Sequence, residues 1–99
     1  MPTSFFYILF SASANKYYTG ITSTTVAERI HKHNAGFYDK HFTSIASDWE
    51  LKLEIEFVDF SLARKAELYI KRMKSRNFIE KLIGNSDEVE KFKNIINSN

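Results

Sequence analysis

With 99 residues, of which 43% are hydrophobic and 26% charged, the chain has the size and composition of one soluble globular domain spanning residues 1–99. It has no cysteine, which excludes disulfides and thiolate metal sites and fits a reducing compartment. The formal net charge is only +2, so a general attraction to nucleic acid is excluded and any basic surface must come from local clustering.

The opening stretch MPTSFFYILFSASANK has a short apolar run with no positive charge before it. It makes a poor secretory signal and is far shorter than the roughly 20 residues of a membrane span, so a cytoplasmic protein without membrane contact is expected. Phe5 to Phe10 is continuously apolar and aromatic, the pattern of a strand buried on both faces. SASANK then reads as a hairpin loop, and Tyr17 to Ile21 as an antiparallel second strand. Adjacent residues on a strand face opposite sides, so one of Tyr17 and Tyr18 serves the core and the other is free for a site.

Thr24 or Thr25 caps a first helix that runs to about Asn34, with Val26 and Ile30 as its apolar ridge and Gly36 just past its end. A polar loop dotted with aromatics, GFYDKHFTSIASD, leads to Trp49. From Leu51 to Phe57 the chain alternates strictly, with Leu51, Leu53, Ile55 and Phe57 on one face and Lys52, Glu54 and Glu56 on the other. Ser61 is expected to cap a second helix whose stripe is Leu62, Ala66, Tyr69, Ile70 and Met73. SRNFIEKLI forms a third helix, stopped by Gly84. A fourth opens at Asn85 or Ser86 and turns Val89, Phe92, Ile95 and Ile96 inward. The resulting order, ββα-β-ααα, predicts an α+β fold in which a three-stranded antiparallel sheet is flanked by helices.

Arg29 and His33 lie four residues apart and share a helix face. Arginine suits phosphate because its planar fork is always charged, and histidine moves protons near neutral pH. On spacing alone, an exposed polar helix face explains the pair better than a site does. His31 and His33 differ by about 200° around the helix axis and cannot clasp one ion. Glu67 borders the apolar stripe of the second helix. It can hold Mg²⁺, which takes one or two carboxylates and keeps several waters, or simply pair with Lys71 one turn on. Lys71, Arg72, Lys74 and Arg76 form the densest positive cluster, suited to a phosphate backbone or to plain solvation. Lys40 and His41, in the long loop, can extend that surface. Tyr7 and Tyr18 lie on adjacent strands, where a tyrosine is ordinarily an aromatic core residue with a bonded hydroxyl.

The order of these pieces resembles the GIY-YIG nuclease superfamily. Phe5-Phe6-Tyr7 stands at the first name motif and Tyr18-Thr19-Gly20 at the second, ten residues later. Arg29 and His33 match the R-x-x-x-H of the family's first helix, and Glu67 matches its metal-binding glutamate. Phe5 replaces the first glycine and Thr19 the aliphatic centre of the second motif, while Asn77 can stand for a late asparagine that many members carry. The resemblance covers about residues 4–83 and is closest to small stand-alone bacterial members; residues 85–97 form an additional C-terminal helix outside it.

That resemblance implies a metal-dependent endonuclease hydrolysing DNA phosphodiesters, with one Mg²⁺ or Mn²⁺ on Glu67 and Arg29 on a phosphate oxygen. Tyr7 or, preferably, Tyr18 would orient or deprotonate the attacking water. Free tyrosine has a pKa near 10, so His33, Arg29 and the metal would have to assist it. Lys40, His41, Lys71, Arg72, Lys74, Arg76 and Asn77 would contact the nucleic acid. The alternative is a nucleic-acid-binding or protein-interaction module on the same fold that does not cut. Without a further DNA-binding domain in view, a homodimer or a partner protein is open, and the last helix covers the core or joins that partner.

Overall fold

The computed structural model describes residues 3–35 and 46–98. Its elements run β1 (Ser4–Ser11), β2 (Lys16–Thr22), α1 (Val26–Asn34), β3 (Trp49–Phe57), α2 (Phe60–Met73), α3 (Arg76–Gly84) and α4 (Ser86–Asn97). The three strands form one antiparallel sheet in the order β2-β1-β3. The expected α+β fold and its ββα-β-ααα order are therefore present, with each strand two residues longer than the sequence pattern predicts.

The continuous apolar run of β1 follows from its central place, where both faces need cover. Phe6 and Ile8 face α2, α3 and α4 in a core that includes Phe57, Ala66, Leu82 and Phe92. Tyr7 and Leu9 face the other way and pack with Val26 of α1 and with Trp49. Tyr17 belongs to the first of these clusters and Tyr18 to the second, so the adjacent tyrosines divide between the two faces as strand geometry requires.

β3 departs from strict alternation. Ile8 pairs with Leu53 but Leu9 pairs with Leu51, so Lys52 is an extra residue in the ladder. The bulge reverses the facing of everything before it. Leu51 does not share the face of Leu53, Ile55 and Phe57 as expected, and lies 41% exposed opposite Leu9. Trp49 is swung into the cluster beneath α1, only 2% exposed.

α2 is capped two residues earlier than expected. Asp59, rather than Ser61, is the N-cap, its carboxylate accepting from the Leu62 amide at 2.9 Å and from the Ser61 hydroxyl at 2.8 Å. Small Ala63 and Ala66 let α2 lie close on the sheet, whereas Met73, expected in the stripe, is 42% exposed beside the helix end. Asn85 alone separates α3 from α4, and its side chain caps α4 by accepting from the Asp87 amide at 2.9 Å. α4 turns Phe92 and Ile96 into the core but leaves Ile95 47% exposed, against expectation. Phe92 sits among Phe6, Tyr69 and Phe78 at centroid separations of 5.8, 5.6 and 6.3 Å. No helix among the described residues is long and apolar enough to cross a membrane.

Two tests follow from this packing. Phe92→Ala should lose about 3–5 kcal/mol in chemical denaturation, because a ring at the centre of four aromatics leaves a cavity that cannot collapse. Asp59→Ala tests the cap through pH. Hydrogen bonds from the Leu62 amide and Ser61 hydroxyl hold the Asp59 carboxyl below its usual range. A lowered folded pKa contributes stability that is present above the unfolded value and is lost as pH falls through the folded one. The deficit of Asp59→Ala in Tm should be full at about pH 7 and narrow steadily below about pH 4.

Candidate active site

β2 is an edge strand, and α1 and α2 flank it on opposite faces of the sheet. A cleft of about 500 Å³ opens over this edge. Tyr18 and Gly20 from β2, Arg29 from α1, and Phe60, Arg64 and Glu67 from α2 line it. Residues distant in the chain reach one place because α1 packs on one face of the sheet, over β1 and β3, while α2 packs on the other, against β1 and β2.

α1 is held at both ends. The Thr25 hydroxyl caps its start by accepting from the Glu28 amide at 3.2 Å. At its other end the Asn34 amide accepts from Trp49 N at 2.7 Å and donates to Trp49 O at 3.0 Å, acting as a short mock strand against β3. With that helix fixed, His33 is driven inward to 2% exposure and Arg29, one turn back, is half-buried with its Nε screened from solvent.

Tyr7 and His33 lie below the cleft, outside its lining. Tyr7 has no exposed surface, and its hydroxyl shares a hydrogen bond of 3.2 Å with His33 Nε2. Tyr7 is also the register partner of Gly20. A Cβ on Gly20 would stand 2.5 Å from the Tyr7 hydroxyl oxygen, so the glycine is required by a buried phenol passing under it. The room at Gly20 belongs to Tyr7. Tyr18 stands edge-on to the same imidazole, with centroids 5.0 Å apart and planes at 61°. Thus Tyr18 presents to the cleft a ring buttressed by His33, and His33 is in turn fixed by Tyr7.

On the opposite wall the Glu67 side chain is only 12% exposed and receives Lys71 Nζ at 3.2 Å. Among the described residues no group of three or more His, Cys, Asp or Glu is placed to hold a metal. A single carboxylate in a cleft of this size still suits a magnesium ion, which keeps most of its waters and completes its shell with substrate oxygens.

None of the expected nucleic-acid contacts among the described residues lines the cleft itself, and Lys71, Lys74 and Arg76 border a hollow beside it. Lys71 pairs with Glu67. Arg72 lies over a separate hollow with Arg64 and Lys65. Arg76 is engaged with the β1–β2 turn, donating to Asn15 O at 3.0 Å and Asn15 Oδ1 at 2.8 Å while lying over the Tyr17 ring at 5.1 Å. Lys74 is exposed at the end of α2, and Asn77 is exposed on α3 away from the cleft lining. Lys40 and His41 fall outside the described residues. Phe60, exposed by 49% at the cleft mouth, is a site feature that sequence reasoning passed over. Its only signal was an aromatic next to a helix cap, where it reads as packing.

The buried pair gives a direct test. Gly20→Ala must push the Tyr7 phenol off His33, and because both are enclosed the change should cost about 1–3 kcal/mol in denaturant melts, as for other overpacked interiors. A wild-type melting curve would show that the phenol is not what requires the glycine.

Among curated proteins and among solved structures, none matches the chain. Residues 3–81, most of the 99-residue chain, match the GIY-YIG catalytic domain. The match takes in both tyrosines, Gly20, Arg29, His33 and Glu67, and ends before α4. The chain belongs to the GIY-YIG catalytic domain family, whose fold is that of nucleases.

Proposed function

We propose that the protein is an endonuclease that hydrolyses DNA phosphodiester bonds with the help of Mg²⁺ or Mn²⁺. The observation that carries this reading is the meeting of Tyr18, Arg29 and Glu67 in one cleft at the sheet edge. Arg29, screened at Nε and open to the cleft, clamps a non-bridging phosphate oxygen and meets the charge that grows there as the bond breaks. Tyr18 orients the attacking water, since its ring lines the cleft whereas Tyr7 has no exposed surface. His33 and Tyr7 serve as positioning residues: their hydrogen bond sets the imidazole against which the Tyr18 ring leans. Glu67 would hold the divalent cation, which when bound supplies Lewis-acid neutralisation of the phosphate and leaving oxygen. Lys71 gives up the carboxylate at little cost, because an exposed i,i+4 pair is worth only a few tenths of a kcal/mol. Phe60 offers an apolar face beside this charged centre, suited to an unpaired base.

Supercoiled and branched DNA with Mg²⁺ or Mn²⁺ should be nicked by the wild-type protein. Glu67→Ala and Arg29→Ala should each reduce the rate by at least about 100-fold. Their circular dichroism spectra should stay those of the wild type, since both groups lie at the cleft rather than in the core. Equal nicking by wild type and Glu67→Ala would sink the assignment. Binding by the wild type without any cutting would favour the non-cleaving module instead.

A further inference from the structure

A second hollow, of about 350 Å³, lies along β2 beyond the cleft, between the β1–β2 turn and the junction of α2 with α3. Lys16, Lys71, Lys74 and Arg76 line it, and no acidic residue does among those described. It adjoins the cleft in two ways. Thr19 lines the hollow while its neighbours Tyr18 and Gly20 line the cleft, and Lys71 of the hollow bonds Glu67 of the cleft. One helical turn, about 6 Å, separates those two residues along α2.

The charges around it are not equivalent. Lys71 is answered by Glu67, and Arg76 by Glu80 at 3.2 Å and by the turn. Lys74 is exposed and makes no ion pair among the described residues. It also ends α2 in the left-handed region, at φ 50° and ψ 41°. That position is usually given to glycine because a Cβ is crowded there. The other left-handed residue that is not glycine among those described, Asn15, lines the same hollow, but it occupies a hairpin turn where asparagine is at ease. At Lys74 the sequence keeps a cation where the backbone alone favours no side chain, and strain held against local preference marks functional positions.

We propose that this hollow holds a backbone phosphate of the nucleic-acid strand, next to the phosphate lying in the Glu67 cleft, with Lys74 as its principal contact. The inference deepens the nuclease reading and rests on it. Recognition there is by charge: the Tyr17 ring is already engaged by the Arg76 guanidinium at 5.1 Å and the Phe10 ring at 4.7 Å, and its hydroxyl donates to Glu80 at 3.3 Å. Such a contact carries no sequence preference and fixes the register of the strand against the cleft.

Lys74→Gly and Lys74→Asn separate backbone from charge, because both substitutes suit the left-handed position and neither is cationic. Each should keep or raise Tm. Binding of a short fluorescein-labelled oligothymidine, measured by anisotropy without divalent cation, should weaken about three- to tenfold, and the slope of log K against log salt should fall by about one. Affinity and slope equal to wild type, with the wild type still nicking plasmid, would overturn the phosphate contact and leave the nuclease reading standing. Weaker, shallower binding by the variants of a wild-type protein that never nicks would support the contact while the nuclease reading fails. No binding by the wild type at any low salt concentration would overturn both.

Discussion

The hydrogen bond between Tyr7 and His33 ties the central strand to the first helix beneath the cleft, where the edge strand passes over it. Tyr7 belongs to the central strand, His33 to the first helix, and the phenol reaches the imidazole only because Gly20 of the edge strand has no side chain in its way. Each partner is nearly or wholly enclosed, and a buried hydroxyl or imidazole left unpaired costs about 1–3 kcal/mol. The bond therefore selects one docking angle of α1 on the sheet. Arg29, one turn from His33 on the same face, inherits its position from that angle, as does Tyr18 through its edge contact with the imidazole. A buried interaction that touches no substrate thus sets where the groups of the cleft stand.

The same C-terminal end of α1, at Asn34, is held further by an irregularity. The extra residue at Lys52 turns Trp49 into the cluster under α1, where it packs with Tyr7 and Leu9 and comes within 6.4 Å of the Tyr18 ring. The same rotation presents the Trp49 backbone to the Asn34 side chain, which takes both its amide and its carbonyl. Without the bulge, Trp49 would fall on the face of Leu53 and Ile55, and α1 would lose its largest hydrophobic support. On the far side, α4 completes the core with Phe92 and Ile96 although it lies beyond the family match. The cleft-bearing half of the fold is thereby backed by a helix outside the matched residues.

How legible this was in the sequence depended on whether the signal was local. The doubly buried β1, the opposed Tyr17 and Tyr18, and the fold class itself followed from periodicity, because facing is dictated by backbone geometry within a few residues. The bulge did not, since strict alternation from Leu51 to Phe57 is what an unbroken strand would also show, and the slip exists only in the pairing with β1. Asp59 and Ser61 are both good caps, and the choice between them depends on where β3 delivers the chain. Ile95 and Met73 fit the helical spacing, but their side chains lie on the solvent side, 47% and 42% exposed. For the site, the motif order brought out Tyr7, Tyr18, Arg29, His33 and Glu67 together. It held no signal that the two tyrosines differ in depth, because depth comes from β1 lying at the centre of the sheet and β2 at its edge. The basic cluster looked uniform in the sequence; in three dimensions Arg76 clasps a hairpin, Lys71 answers a carboxylate and Lys74 stands apart.

The last of these distinctions bears on how the two hollows work together. The Glu67–Lys71 pair is the wall between them, and a pair with Lys71 56% exposed is weak by its nature. Weakness suits its place. A carboxylate left alone at 12% exposure would be poorly solvated, whereas one locked in a strong buried bridge would be closed to any other cation. A flexible lysine one turn away satisfies Glu67 while remaining easy to displace, and its displaced ammonium stays among Lys16, Lys74 and Arg76 at the rim of the neighbouring hollow. If the proposed cation takes Glu67, the freed Lys71 ammonium would add to the positive charge of the proposed phosphate hollow that it already borders.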